Sequence, residues 1–140
     1  MGESILPLTK EDVAQRALDA AIDLHLNGGD PVAVHILVFS AIHVLRGVAV
    51  TKNITTPYIA HHDAPGMGKA FRDRFDESYL FMKHAMRDPD DVLANFMPSA
   101  NFLVLAVAAG EFAAVFQRET KGMSAFKNWL QAEHPSLSFW

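Results

Sequence analysis

Two stretches of the chain, residues 32–45 and 102–116, are apolar nearly all the way around a helix. Two histidines and one serine interrupt the first stretch, and Gly110 and Glu111 interrupt the second. A helix without a polar face has to be enclosed. Both stretches are shorter than the roughly 18 apolar residues that indicate a membrane span. We therefore expect them to form the core of a globular protein, with no membrane as a partner.

The residues around these stretches mark helix ends. Thr9 is a suitable N-cap for a first helix, and Gly28-Gly29 would end it. Asp30 followed by Pro31 is typical of the start of a second helix, because proline at the first helical position loses no hydrogen bond. The second helix is expected over residues 32–45, and others over 69–86, 98–119 and 124–133. The inner face predicted for the first helix is Val13, Ala17, Ala20, Ala21 and Leu24.

The pattern as a whole predicts an all-α fold. A chain of 140 residues is the usual size of one domain, so we expect a single domain over residues 1–140. Short loops between long helices predict an up-and-down bundle of four to five helices. Threonine, proline, glycine and adjacent histidines are concentrated between residues 48 and 67, which predicts one long irregular loop at about that position.

The composition excludes several chemistries. The chain has no cysteine, so it has no disulfide, no thiolate nucleophile and no cysteine-ligated metal. It contains neither HExxH nor Glu-x-x-His, the patterns of zinc proteases and di-iron bundles. A net charge of -4 gives no general attraction to phosphate backbones, so no nucleic-acid partner is expected. The N-terminus lacks the pattern of a signal peptide, and the expected location is cytoplasmic.

Two histidines in the first apolar stretch are candidate ligand-binding residues. His35 and His43 are eight positions apart, which on a helix means about 12 Å along the axis and about 80° around it. They therefore cannot bind one metal ion directly, and each would need partners from other helices. The alternative is a structural role, in which each imidazole bonds a carbonyl or carboxylate and fixes helix packing.

Glu111 is the only acid in the second apolar stretch. A buried carboxylate needs a cation or a hydrogen-bond donor, or it takes up a proton. His35, His43 and Lys83 are the candidate partners. The alternative is that Glu111 lies on a narrow solvent-facing stripe together with polar residues that follow the stretch.

A cluster of polar residues, Lys83, His84, Arg87 and Asp88, is the densest in the chain. Cations at a helix C-terminus complement the helix dipole, and an aspartate-rich turn that follows them would make a good helix stop. The same side chains could instead form the rim of a ligand pocket between helices.

Residues 29–35 read GDPVAVH and residues 83–90 read KHAMRDPD. These segments, together with residues 126–135, resemble a family of small bacterial all-helical proteins of uncharacterised function, which carries GDPV-x-x-H and KHA-x-RDPD-like segments. The chain departs from that family at Ser78-Tyr79, where Ala-Asn is usual. The resemblance implies a helical fold over most of the chain but no activity, and it directs attention to His35 and to the polar cluster.

The leading hypothesis is a bundle that binds a small ligand or a protein partner, as a homodimer. It rests on the apolar content and on the absence of an assembled catalytic motif. No metal site is predicted and no cofactor is indicated. The alternative is a metal-assisted or acid–base enzyme with a His/Glu site between helices, in which His84 and Glu111 are central. The predicted ligand-binding residues are His35, His43, Lys83, His84, Arg87, Asp88 and Glu111.

Overall fold

The computed structural model describes residues 2–62, 76–84 and 89–137, and for residues 61 and 62 it describes the backbone alone. The helices are α1 (Lys10–Leu26), α2 (Pro31–Thr51), α3 (Pro57–His62), α4 (residues 76–83), a 3-10 turn (Pro98–Ala100), α5 (Asn101–Phe116) and α6 (Lys121–Glu133). These ranges contain no strand. The predicted all-α bundle is confirmed, and the described residues form six α-helical segments where four to five helices were expected.

The helix ends predicted at the start of the chain are confirmed. Thr9 and Asp12 form a capping box, in which each side chain accepts a hydrogen bond from the other residue's backbone N–H. Gly28 has a φ of 70° just after α1, a conformation that glycine adopts without strain. The Asp30 carboxylate accepts hydrogen bonds from the first backbone N–H groups of α2. Short-range hydrogen bonds therefore fix both ends of the α1–α2 connection.

The predicted inner face of α1 is wrong in its rotation about the helix axis. Val13 is 38% exposed, and Ala20 is exposed as well. The residues that α1 buries completely are Ala14, Leu18, Ala21 and Ile22. Both stripes have helical spacing and share Ala21, but the observed one buries Leu18 and Ile22 in place of Val13 and Ala20, which removes more apolar surface from water.

The long irregular loop predicted at about residues 48–67 is largely helical in the part of it that the structure describes. Residues 48–51 continue α2 and residues 57–62 form α3, which leaves 52–56 as the connection, while 63–67 lie outside the described residues. Ala49 is completely buried, so core packing extends α2 through residues of low helix propensity. Asn53 ends the helix in the left-handed conformation, with a φ of 56°.

The second half of the bundle also has shifted helix ends. Gln117 adopts a φ of 56° and ends α5, before the predicted end at residue 119. Thr120 then caps α6 by accepting a hydrogen bond from the Met123 N–H, so α6 begins before Ser124. The hydroxyl of Thr120 also donates to Asp19 of α1 over 2.6 Å. This contact across the bundle places the start of α6 against the middle of α1.

The central helices α2 and α5 run in the same direction. The Asn101 side chain, at the start of α5, donates to the carbonyl of Pro31 at the start of α2. Glu111, near the end of α5, bonds Thr56 and Tyr58 just beyond the end of α2. As predicted, α1 and α2 are antiparallel neighbours, and so are α5 and α6. The parallel pair α2 and α5 instead requires the chain between them to cross from one end of the bundle to the other.

Two helical segments are long and apolar enough to cross a membrane, Pro31–Thr51 and Pro98–Phe116. The expectation that the apolar stretches are too short for a span therefore does not hold for the helices that contain them. About half of each segment, 44% and 50%, is buried inside the bundle. Core helices of soluble proteins have the same length and hydropathy, so these two values do not assign a membrane location.

Candidate functional site

Glu111 is buried, with 3% of its surface exposed. One carboxylate oxygen accepts the hydroxyl proton of Thr56, and the other accepts the backbone N–H of Tyr58 at 3.1 Å. Desolvation raises the pKa of Glu111, while the hydrogen bonds from Thr56 and Tyr58 oppose that shift. The solvent-facing alternative is wrong, and the side chain holds the start of α3 in place.

His35 is buried in a different way. Its side chain is 6% exposed, and its Nδ1 lies 3.2 Å from the Asn101 Oδ1. The amide nitrogen of Asn101 donates to the Pro31 carbonyl over 2.9 Å, which leaves the amide oxygen to accept a proton from Nδ1. The Nε2 of His35 is then an unprotonated acceptor, and among the described residues it has no hydrogen-bond partner. Burial lowers the pKa of His35 and keeps the ring neutral.

A column of aromatic rings connects His35 with His43. Phe96 packs edge-on against His35 at 5.3 Å, and Phe39 lies 4.6 Å from His35 on its other side. Tyr79 of α4 stacks on Phe39 at 5.3 Å and contacts His43 at 4.7 Å. These ring contacts are within the range in which aromatic pairs attract each other. His43 is exposed, so one end of the column is in the core and the other is at the surface.

The polar cluster after α4 is described in part. Lys83 is exposed and His84 is half-buried, and the His84 N–H donates to the Leu80 carbonyl over 3.0 Å. Arg87 and Asp88 lie outside the described residues. Among the described interactions, neither Lys83 nor His84 contacts Glu111 or His35.

The structure therefore does not gather His35, His43, Lys83, His84 and Glu111, the described members of the predicted ligand-binding set, into one pocket. Asn101, which holds His35, and Glu111 lie at opposite ends of α5, about 15 Å apart by helix rise. His43 lies at the surface end of the ring column. Within residues 2–62, 76–84 and 89–137, no group of three or more His, Asp or Glu side chains is arranged to bind a metal ion. His35 and Glu111 cannot act on one reacting centre.

Along the C-terminal half of α2 runs a groove of about 550 Å³, which we call the α2 groove. We call the apolar stripe of Val44, Gly47 and Val48 its floor, and we call its two exposed lysines its rim. The described residues that line it are Lys10, His43, Val44, Gly47, Val48, Thr51 and Lys52. Of the described residues that were predicted to bind a ligand, His43 alone lines it.

Sequence reasoning missed the α2 groove, although Gly47 is a signal for it. Glycine inside a helix costs about 1 kcal/mol relative to alanine, so it needs a reason in packing or function. A Cβ atom added at Gly47 would meet nothing within 4 Å. Packing therefore does not require glycine at this position, and its absent side chain leaves the floor of the groove open.

No family model, no curated protein and no solved structure matches this chain.

Proposed function

We propose that this protein binds a small organic molecule with an apolar body in the α2 groove. The observation that supports the proposal is the open volume at Gly47, between Val44 and Val48. A volume of about 550 Å³ is within the range of small-molecule sites, which are mostly apolar with a few polar groups at their edges. His43 supplies one such group, and the ring column holds it in position.

The most direct test fills the groove from inside the protein. Gly47→Leu starts a side chain at a position where a Cβ atom would meet nothing within 4 Å, so it should fill the groove and abolish binding without unfolding the helix. Gly47→Ala is the matched control, because it adds one methyl group and removes the same glycine. The probe is 1-octanol, and binding is measured from the methyl NMR shifts of Val44 and Val48.

Wild type and Gly47→Ala should shift these methyl signals with increasing octanol, and Gly47→Leu should not. If octanol shifts the signals equally in Gly47→Leu, the molecule binds elsewhere. If octanol does not bind to wild type, the groove is not an apolar ligand site. In either case the proposal fails.

The enzyme alternative has less support, because both oxygens of Glu111 accept hydrogen bonds from Thr56 and Tyr58 and no described interaction joins Glu111 to His84 or His35. Metal analysis of untagged protein is its direct test. Stoichiometric zinc, iron or manganese that is lost in His35→Phe would revive it.

The expected homodimer, the cytoplasmic location and the family resemblance stay predictions. Several large apolar side chains are exposed on α2 and on the segment before α1, among them Ile5, Leu6, Val32 and Ile36. A second copy of the chain that covers them would give twice the monomer mass in sedimentation equilibrium, whereas a single-chain mass would contradict the homodimer.

A further inference from the structure

The rim of the α2 groove carries two lysines whose charge is not balanced. Lys10 is the first residue of α1, where the helix dipole disfavours a cation. The acids that follow it have other partners: Glu11 pairs with Arg118 at 3.0 Å, and Asp12 caps the helix with Thr9. Neither the helix dipole nor the two acids that follow Lys10 therefore stabilise its positive charge.

Lys52 lies on the other helix that forms the groove, at the C-cap of α2. In the described part of the chain, neither Lys10 nor Lys52 makes an ion pair or a side-chain hydrogen bond. None of the described residues that line the groove is acidic. A chain with a net charge of -4 thus has a local excess of positive charge beside its apolar groove.

The floor of the groove offers nothing to a polar ligand group. Val44, Gly47 and Val48 have no polar side chain, and the hydroxyl of Thr51 donates to the carbonyl of Gly47 over 2.8 Å. A ligand group that needs hydrogen bonds or a counter-charge can find them at the rim and not on the floor. This separation suits a molecule with an apolar body and one charged end.

We propose that the ligand of the α2 groove is an amphipathic monoanion, an alkyl or aryl carboxylate whose apolar body lies over Gly47 and whose carboxylate lies near Lys10 and Lys52. This inference rests on the proposed function and specifies its ligand. Surface ion pairs contribute less than about 1 kcal/mol each, so charge selects the ligand while the apolar body supplies most of the affinity.

The test compares three probes that have the same alkyl chain: octanoate, 1-octanol and octylammonium. Each is titrated into wild type at low salt, and the dissociation constant is taken from the methyl shifts of Val44 and Val48. Octanoate should bind about fivefold more tightly than octanol, and octylammonium more weakly than both. The preference for octanoate should shrink at high salt, because the lysines are exposed.

The variant Lys10→Gln/Lys52→Gln should lose the preference for octanoate and keep its affinity for octanol. Lys121→Gln, which removes a charge on α6 outside the described lining of the groove, should leave both unchanged. If all three probes bind wild type equally, or octylammonium binds best, the charge inference is overturned and the apolar site stands. If none binds, the proposed function itself fails.

Vesicles of phosphatidylglycerol distinguish a free anion from an anionic lipid surface. The protein should not sediment with them. Sedimentation that disappears in Lys10→Gln/Lys52→Gln would assign the lysines to a membrane and overturn the small-molecule inference.

Discussion

The two ends of α5 carry buried polar side chains that are held in opposite ways. At one end, both oxygens of Glu111 accept hydrogen bonds, from Thr56 and from the backbone of Tyr58. At the other end, Asn101 fixes one nitrogen of His35, and the second nitrogen has no partner in the part of the chain that the structure describes. The comparison shows that a polar residue in an apolar helix does not mark a ligand site by itself, because neither end opens onto the α2 groove.

The largest loss of stability is expected from a substitution of Glu111, because both of its carboxylate oxygens accept hydrogen bonds. Glu111→Ala would leave the Thr56 hydroxyl and the Tyr58 N–H without their acceptor in a buried place, which should lower the free energy of unfolding by about 3 kcal/mol. Urea denaturation measures the loss. Glu111→Gln should lose less, because an amide can still accept one of the two hydrogen bonds. A loss below 1 kcal/mol for Glu111→Ala would show that Glu111 does not hold α3 in place.

At the other end, Asn101 should matter more than His35. Asn101→Leu removes the hydrogen bonds to Pro31 and His35 and should cost about 2 kcal/mol in the same measurement. His35→Phe keeps an aromatic ring beside Phe39 and removes the unpartnered nitrogen, so it should cost less than 1 kcal/mol. The reverse order would mean that the Nε2 of His35 has a partner that stabilises the fold.

A smaller effect, and a gain in stability instead of a loss, is expected from a substitution in the α2 groove, which lies at neither end of α5. Gly47→Ala should raise the free energy of unfolding by about 0.5–1 kcal/mol, because alanine restricts the unfolded chain and its Cβ meets nothing in the folded one. Thermal and urea unfolding should agree on the gain. Destabilisation would indicate that the floor at Gly47 is filled and that the groove is closed.

Glu111 and His35 should change the free energy of unfolding in opposite directions as the pH changes, so their effects partly cancel in wild type. The raised pKa of Glu111 gives stability that is present below its ordinary value of 4.5 and is lost as pH rises through the folded pKa. The lowered pKa of His35 gives stability that is present above 6.5 and is lost as pH falls through the folded pKa. Burial lowers the pKa of His25 in the same direction.

Urea denaturation between pH 4 and pH 8 tests both signs. Glu111→Gln should remove the loss of stability on the alkaline side of pH 4.5 and leave a stability that rises toward pH 6.5. His35→Phe should reduce that rise, and His25 would keep part of it. Identical pH profiles for wild type and Glu111→Gln would show that Glu111 has the same pKa in the folded and unfolded chain.

The sequence alone predicted the features that depend on residues three or four positions apart. The Thr9 and Asp30 caps and the glycine after α1 act through hydrogen bonds and dihedral angles within one turn, so their residue types identify them. The central position of α2 and α5 was equally clear, since a helix with no polar face packs into the core, although Val32 and Ile36 of α2 remain exposed. These features together determined an all-α bundle.

The tertiary structure decided what local chemistry leaves open. His35 meets Asn101 across 66 positions and Thr56 meets Glu111 across 55, so these pairs exist only because α2 and α5 run parallel. Packing also determined which of two apolar stripes α1 buries, and it extended α2 to Thr51. The α2 groove follows from that extension, because its lining combines the last turns of α2 with Lys10 of another helix, a proximity that no short-range pattern encodes.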